Sequence, residues 1–320
     1  MRSKLAALLF TTALILTACG GDPEEPAPPA EPGQPDVVSM GIIPIVDVAP
    51  LYLGEQQGFF SSRNIELDLT AGQGGAAIIP GVVSGEYQFG FSNVTSLLLA
   101  QSSDLGVKIV SNGNNSTGTP GEDFGAVVVR DDSPAQSAAD LAGLSVATNT
   151  LQNIVPPVVR ESVRLDGGDP NGVNFVELPF PEMPAALEAG DVDAVFVVEP
   201  FLSATLGAGG RVVAWSFAEA AQDLTVAVYF TSTELAESNP DLVQRFTEAM
   251  QESLAYADAN PDEARAILGS YTQIEADVAE QLTLPKWPAE INRASLEKMA
   301  ELAVLDGMIP TAPDLDALLP

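Results

Sequence analysis

Short apolar segments rich in β-branched residues alternate with helix-like segments through most of the chain, and this alternation constrains the fold more than any other feature. A strand followed by a helix and another strand is typical of a mainly parallel sheet with helices on both faces. The sequence therefore predicts an α/β fold. The predicted strands cover residues 37–46, 65–70, 87–91, 107–111, 126–130, 144–148, 174–178, 192–198 and 226–231.

The strand and helix series runs twice along the chain. The series that begins near residue 37 and the one that begins near residue 144 align at an offset of about 105 residues, so that Gly85 corresponds to Gly190 and Ser92 to Glu199. The repeat is one of architecture rather than of sequence identity, and a general likeness among α/β units is an alternative explanation. Helical periodicity over 235–256, 261–268 and 295–305 predicts that the C-terminal third is helical. We expect these helices to cover the lobe formed by the first series.

The N-terminal residues indicate export. Arg2 and Lys4 precede an apolar run over 5–16 that has the length of a signal peptide rather than of a membrane span. Cys19 follows Leu-Thr-Ala, which resembles a bacterial lipoprotein cleavage site, although an ordinary cysteine after a signal peptide is the alternative. We predict that residues 1–19 are a lipoprotein signal peptide with Cys19 as the lipidated residue, and that the Pro-, Glu- and Gly-rich residues 20–36 are a disordered tether.

Composition argues against several classes of function. The net charge of −31, from 13 basic and 44 acidic residues, disfavours nucleic-acid binding because such a surface repels phosphates. The chain has no histidine, which argues against Ser-His-Asp catalysis and most zinc sites. The single cysteine rules out a disulfide framework. We expect no catalytic residue, no metal and no cofactor.

Candidate binding residues cluster in the loops that follow predicted strands. In open α/β sheets, ligands bind at the carboxyl ends of strands, close to helix N-termini. Polar or small residues occupy these places at 47–52, 72–76, 92–95 and 148–153, and Glu199 follows another strand. Ser, Thr and Asn are also ordinary helix N-caps, so that alternative stays open. No lysine follows the glycines at 72–75, so a nucleotide phosphate loop is not expected.

Several stretches resemble a known transport family. APLYLGEQQGFF, GQGGAAIIPGVVSGEYQFGFSN and ALEAGDVDAVFVVEPF resemble ABC-transporter substrate-binding proteins for nitrate, sulfonate, taurine and hydroxymethylpyrimidine precursors. The resemblance implies a two-lobe periplasmic-binding-protein type II fold with two crossover strands, a hinge that closes on the solute, and an ABC permease and ATPase as partners. Lobe 1 would then cover residues 37–129 and 229–320, and lobe 2 residues 130–228.

The resemblance also places the solute site. Together with the lipid anchor expected at Cys19, the family role predicts a monomer on the outer face of the membrane. Because the pocket loops of the first lobe contain no basic residue, we slightly favour a neutral, amine-bearing solute such as a pyrimidine over sulfonate, taurine or nitrate. A carboxylate-based surface enzyme and a lipoprotein sensor without a permease are the alternatives. The ligand-binding residues that the family implies are Asp47, Ala49, Tyr52, Gly74, Ser92, Asn93, Thr148, Asn149 and Glu199.

Overall fold

The computed structural model describes residues 34–274 and 276–320. The predicted signal peptide, Cys19 and residues 20–33 of the predicted tether lie outside the described residues. Ten strands are present in this part of the chain. They are β1 (Asp36–Ile42), β2 (Ile65–Ala71), β3 (Phe89–Asn93), β4 (Val107–Asn115), β5 (Gly125–Arg130), β6 (Ser145–Thr148), β7 (Asn174–Glu177), β8 (Ala194–Val198), β9 (Gly210–Ala214) and β10 (Thr225–Ser232).

Helices follow most of the strands and fill the C-terminal third. Within the described residues, none of them is both long enough and apolar enough to cross a membrane. They are α1 (Ala49–Gln57), α2 (Gly75–Val83), α3 (Val94–Ser102), α4 (Val155–Leu165), α5 (Met183–Ala189), α6 (Phe201–Gly207), α7 (Ser216–Ala220), α8 (Thr233–Ser238), α9 (Pro240–Ala259), α10 (Pro261–Ile267), α11 (Ala276–Ala279), α12 (Arg293–Leu305) and α13 (Leu315–Leu318).

The strands form two five-stranded sheets with the same topology. The first has the order β2-β1-β3-β10-β4 and the second the order β7-β6-β8-β5-β9. In both, the first strand of the series runs parallel to the second and third, and an antiparallel strand is inserted beside the third. The predicted α/β fold with two lobes is confirmed, and the architectural repeat is visible as a shared strand order. Gly85 and Gly190 occupy equivalent left-handed turns, with φ of 80° and 78°.

The inserted strands β5 and β10 are the predicted crossover strands, but each belongs wholly to one sheet. β5 pairs with β8 and β9 of the second sheet, and β10 with β3 and β4 of the first. The chain therefore passes between the lobes in residues 116–124 and 215–224. The predicted boundaries after residues 129 and 228 cut through these two strands, because an apolar run does not reveal which sheet it joins.

Three further elements differ from the sequence-based expectation. Asp36, assigned to the tether, is the first residue of β1 and pairs with Ile65. The helix predicted over 235–256 is two helices, because Asn239 accepts a hydrogen bond from Leu242 N at 3.2 Å and Pro240 opens a new first turn. β9 was not predicted, since its short sequence GRVVA lies at a sheet edge and is only partly buried.

Helix α9 holds the first lobe together through an aromatic cluster. The ring of Phe246 is fully buried and stacks on Phe89 of β3 with 3.9 Å between centroids. Phe60 and Tyr229 contact the same ring from other sides, at 5.9 and 6.3 Å. An enclosed ring stabilises the fold because it is removed from water and because it packs closely against its neighbours. The predicted cover of the first lobe by C-terminal helices depends on this contact.

Replacing Phe246 tests this packing. We expect Phe246→Ala to lower the free energy of unfolding by about 3–5 kcal/mol, because it removes the ring and leaves a cavity against the sheet. Urea unfolding followed by circular dichroism measures the change. Gln251→Ala on the exposed face of the same helix is the control and should change stability by less than about 0.5 kcal/mol. Equal effects of the two substitutions would contradict the assignment.

Candidate functional site

The loops singled out in the sequence meet where the carboxyl ends of the two sheets face each other. Gln73 Nε2 donates to the carbonyl of Asn149 at 2.7 Å, and Asn149 Nδ2 donates back to the carbonyl of Gln73 at 3.1 Å. Ser96 Oγ donates to the carbonyl of Gln152 at 2.7 Å. These hydrogen bonds join loops of one lobe to loops of the other, so the lobes lie closed against each other.

A cavity of about 40 Å³ remains between the closed lobes. Its polar lining consists of Asp47, Asn93, Asn149 and Asn153, and none of its lining residues is basic. A larger depression of about 660 Å³ around Lys286 opens on the surface, and none of the predicted site residues lines it. The cavity walls are otherwise apolar: Ile43, Ile45, Phe91, Ile154, Val155, Phe180, Phe196, Val198, Phe217, Val226 and Ala227.

Asp47 and Asn93 are the predicted lobe 1 residues that line the cavity. Their side chains differ in whether a hydrogen-bonding atom is left without a partner. Asn93 is the N-cap of α3: its Oδ1 accepts from Ser96 N, and its Nδ2 donates to Ser96 Oγ, both at 2.9 Å. The alternative role as a helix cap is therefore observed for Asn93. Asp47 is 2% exposed and its Oδ2 has no hydrogen-bond partner among the described residues.

The remaining lobe 1 predictions do not line the cavity. Ala49 is buried in the hydrophobic core, and Tyr52 stacks on Tyr271 with 4.0 Å between ring centroids. Ser92 Oγ donates to the carbonyl of Asn93 at 3.2 Å. Gly74 lies against lobe 2, where an added Cβ would be 2.7 Å from Asn149 Nδ2. Gly74 thus permits close approach of the lobes.

In lobe 2, Asn149 lines the cavity and the other two predicted residues do not. Asn153 Nδ2 donates to Asn149 Oδ1 at 2.6 Å, which fixes the amide that reaches Gln73. Thr148 Oγ1 donates to the carbonyl of Thr150 at 3.1 Å within its own loop. Both carboxylate oxygens of Glu199 accept hydrogen bonds from Ser203, so this carboxylate caps α6 rather than facing the cavity.

A group of buried polar atoms beside Asp47 was missed in the sequence. Asn115 and Lys286 form an antiparallel bridge, which places Asn114 opposite Trp287 on one face. Neither amide atom of Asn114 nor Nε1 of Trp287 has a hydrogen-bond partner among the described residues, and the same holds for the Tyr229 hydroxyl. The predicted strand ended at residue 111, whereas β4 continues through the buried residues Asn112, Gly113, Asn114 and Asn115.

Burial dominates the electrostatics of this polar group. Loss of water raises the pKa of Asp47 to about 7, and the charge of Asp123 raises it further. The Asp47 backbone N–H lowers the pKa, as does the Asn114 side chain, which lies close to Asp47 but not in hydrogen-bonding geometry. The pKa of the Tyr229 hydroxyl is well above its usual value because of burial and the nearby Asp47. A carboxyl with this pKa accepts or donates a hydrogen bond near neutral pH. The described residues contain no cluster of three or more His, Cys, Asp and Glu placed to hold a metal.

The raised pKa of Asp47 predicts a pH-dependent stability. Between about pH 4 and pH 7 the folded protein retains a proton that the unfolded chain releases, so stability falls as pH rises through this window. Asp47→Asn should reduce that fall by about 4 kcal/mol in unfolding measured at several pH values. Asp68→Asn, at an exposed position on β2, is the control and should keep the wild-type profile. Parallel profiles for wild type and Asp47→Asn would contradict the burial of this carboxyl.

Solved structures with the same fold come from several bacteria. A ligand-binding component of an ABC-type import system from Staphylococcus aureus, solved with zinc, has 16% identity, a TM-score of 0.77 and coverage of 89% of this chain and 96% of that one. The alkanesulfonate-binding protein of Xanthomonas axonopodis pv. citri, bound to MOPS, has 17% identity, a TM-score of 0.73 and coverage of 90% and 99%. The nitrate-binding protein of Synechocystis PCC 6803 has 14% identity, a TM-score of 0.74 and coverage of 89% and 86%. At these identities the likeness concerns the fold.

Sequence comparison gives the family directly. No curated protein matches the chain. The sequence model of the family described as NMT1/THI5 like matches residues 45–264, which is more than half of the chain and includes the loops of both lobes that meet at the cavity. This match confirms the resemblance read from the sequence segments. The chain belongs to the NMT1/THI5-like family.

Proposed function

We propose that this protein is an exported solute-binding protein of an ABC importer, which closes its two lobes on a small molecule and delivers it to a membrane permease and its ATPase. The family, the two-lobe fold and the import-system proteins that share it support this role. We further propose a lipid anchor on Cys19, a tether that ends before Asp36 of β1, and placement on the outer face of the membrane as a monomer.

The unpartnered oxygen of Asp47, which lines the cavity, and the unpartnered polar atoms of Asn114 and Trp287 carry the proposal. Asp47 Oδ2, the Asn114 amide and Trp287 Nε1 are buried without hydrogen bonds from the described residues. Leaving such a group unsatisfied costs roughly 1–3 kcal/mol, so most native proteins avoid it. A solute that supplies the missing partners recovers this energy on binding. Asp47 lines the cavity that lobe 2 closes, so a solute trapped there would be desolvated beside its carboxylate.

Hydrogen bonds between the two lobes stabilise the closed arrangement. The reciprocal bonds between Gln73 and Asn149 and the bond from Ser96 to the Gln152 carbonyl exist only while the lobes touch. The cavity of about 40 Å³ is small beside the roughly 300–1,000 Å³ of typical solute sites. Solute entry therefore requires the lobes to separate about residues 116–124 and 215–224, and closure then selects the bound form.

The cavity chemistry favours a neutral, amine-bearing heteroaromatic solute such as a pyrimidine over an anion. Asp47 lines the cavity with an unpartnered carboxylate oxygen, which accepts a hydrogen bond from an amino group. No lining residue carries the positive charge that sulfonate or nitrate would attract, and Asn93 already occupies the amide of Ser96 at the start of α3. Asp47 is the one carboxylate among the lining residues. The nearby Asp123 does not line the cavity, and its oxygens accept hydrogen bonds from Ser116 Oγ, Thr117 N and Phe124 N, so the cavity does not favour a paired-carboxylate enzyme.

A thermal-shift screen of the purified mature protein tests the solute class. We expect 4-amino-5-hydroxymethyl-2-methylpyrimidine or cytosine to raise the melting temperature, because binding to the folded state alone stabilises by about 2.7 kcal/mol at a hundredfold excess over Kd. Asp47→Asn should weaken the same solute about tenfold or more in calorimetry, through loss of a charged acceptor. Asp68→Asn is the control and should bind like wild type.

The results of this screen test the solute-binding role and the proposed solute class separately. Stabilisation by taurine, sulfonates or nitrate instead of pyrimidines would overturn the proposed solute class and leave the solute-binding role. Absence of stabilisation by every compound, together with no co-purified small molecule in native mass spectrometry, would count against the role itself.

Gly74→Ala tests closure. A Cβ at Gly74 would be 2.7 Å from Asn149 Nδ2 and 2.8 Å from Thr150 Cγ2, so the side chains of Asn149 and Thr150 must shift before the lobes close. We expect solute affinity to fall about tenfold or more, with little change in the melting temperature of the solute-free protein, since open lobes avoid the clash. Gly207→Ala is the control, because a Cβ there meets nothing within 4 Å. Unchanged affinity in Gly74→Ala would show that closure at this loop is not needed for binding.

A further inference from the structure

Five charged side chains gather on one flank of the lobe boundary, where α4 and α12 pack together. We name them the interlobe charge cluster: Arg160, Glu161 and Arg164 on α4, Lys298 on α12, and Asp306 directly after α12. Lys298 Nζ lies 2.9 Å from Glu161 Oε1, and Arg164 Nη2 lies 2.7 Å from Asp306 Oδ1. Arg164 also pairs with Glu161 on its own helix.

The two main ion pairs connect different lobes. Ser295 Oγ near the start of α12 accepts from Thr225 N of β10 at 3.0 Å, which fixes α12 to the first sheet. Helix α4 follows β6 of the second sheet. Each lobe therefore contributes one acid and its partner lobe the matching base. A separation of the lobes along this flank breaks both pairs together.

The acids of the cluster are shielded from water. The side chains of Glu161 and Asp306 are 8% and 3% exposed, whereas the basic partners are between 23% and 36% exposed. Burial raises the pKa of Glu161, but hydrogen bonds from Lys298 and Arg164 outweigh it and hold the pKa below its usual range. At Asp306, burial outweighs Arg164 and Arg160 and the pKa is raised. Shielded pairs are weakened less by salt than exposed ones.

The cluster also contains several basic residues, which are scarce in this chain. Only 13 residues are basic against 44 acidic ones, and three of the basic residues lie in this cluster. Two lobes with a strong excess of negative charge repel each other when they approach. Positive charges placed between them, one from lobe 1 and two from lobe 2, offset that repulsion at the boundary.

We propose that the interlobe charge cluster is a latch that holds part of the solute-free population in the closed arrangement. The latch rests on the hinge motion of the proposed function, but it concerns the protein without solute. The latch sets the fraction of solute-free molecules that are already closed. Because the solute must shift the remaining molecules to the closed arrangement, this fraction affects its apparent affinity. Weakening the latch shifts molecules toward the open arrangement without touching the cavity.

Pulsed electron paramagnetic resonance on the solute-free protein tests the latch. Spin labels at Asp68→Cys and Asn174→Cys, both exposed positions on the outer strands of the two sheets, report the lobe separation in a Cys19→Ala background. We expect Lys298→Met to lower the ratio of closed to open molecules about threefold to tenfold, because it removes the charge and keeps the aliphatic stem. Glu161→Gln should act in the same direction, and the double variant should add little to either single change.

Lys108→Met is the matched control, since Lys108 lies in the same lobe on β4 and forms none of the ion pairs seen among the described residues. It should leave the distance distribution unchanged. Wild-type distances in both Lys298→Met and Glu161→Gln, or a wild type that is wholly open without solute, would overturn the latch. Melting temperatures within a few degrees of wild type establish that the variants fold. Failure of the solute screen would leave this measurement intact, so the two proposals fail separately.

Discussion

Exclusion of water from the boundary between two similar sheets is the constraint on which the rest of this structure depends. The carboxyl ends of the parallel strands bring four loops together, and the reciprocal hydrogen bonds of Gln73 and Asn149 close them. Closure leaves Asp47 2% exposed and raises its pKa to about 7, because a charged carboxylate is poorly solvated there. Because water is excluded, a hydrogen bond between a solute and Asp47 is stronger there than in water, and a polar group of the solute left without a partner costs more free energy.

The boundary has two chemically different parts. Around Asp47 the walls are mostly apolar and Asp47 Oδ2 lacks a partner among the described residues, which suits recognition of a small molecule. Along α4 and α12 the charged groups are paired across the lobes, which suits control of closure. Separating these two tasks lets changes on the flank alter the balance of open and closed molecules while the recognition chemistry stays the same.

Much of the architecture could be predicted from local patterns. Nine of the strands follow apolar runs, and left-handed glycines at 85 and 190 mark the two equivalent turns. The candidate site was predicted less completely. Asn93 and Glu199 cap their own helices, Ala49 lies in the hydrophobic core, and Asn114 lies beyond residue 111, where the predicted strand ended. Whether a polar side chain is already satisfied depends on neighbours distant in the chain, which composition does not reveal.

The alternation of strands and helices and the loops that end the strands follow from residue type and short-range periodicity, so both can be predicted from the chain alone. Folding is needed to assign β5 and β10 to a sheet, to identify the described polar atoms without partners, and to find the charges that face each other across the lobes. Those outcomes depend on long-range pairing and on the removal of water, which no local stretch of sequence encodes.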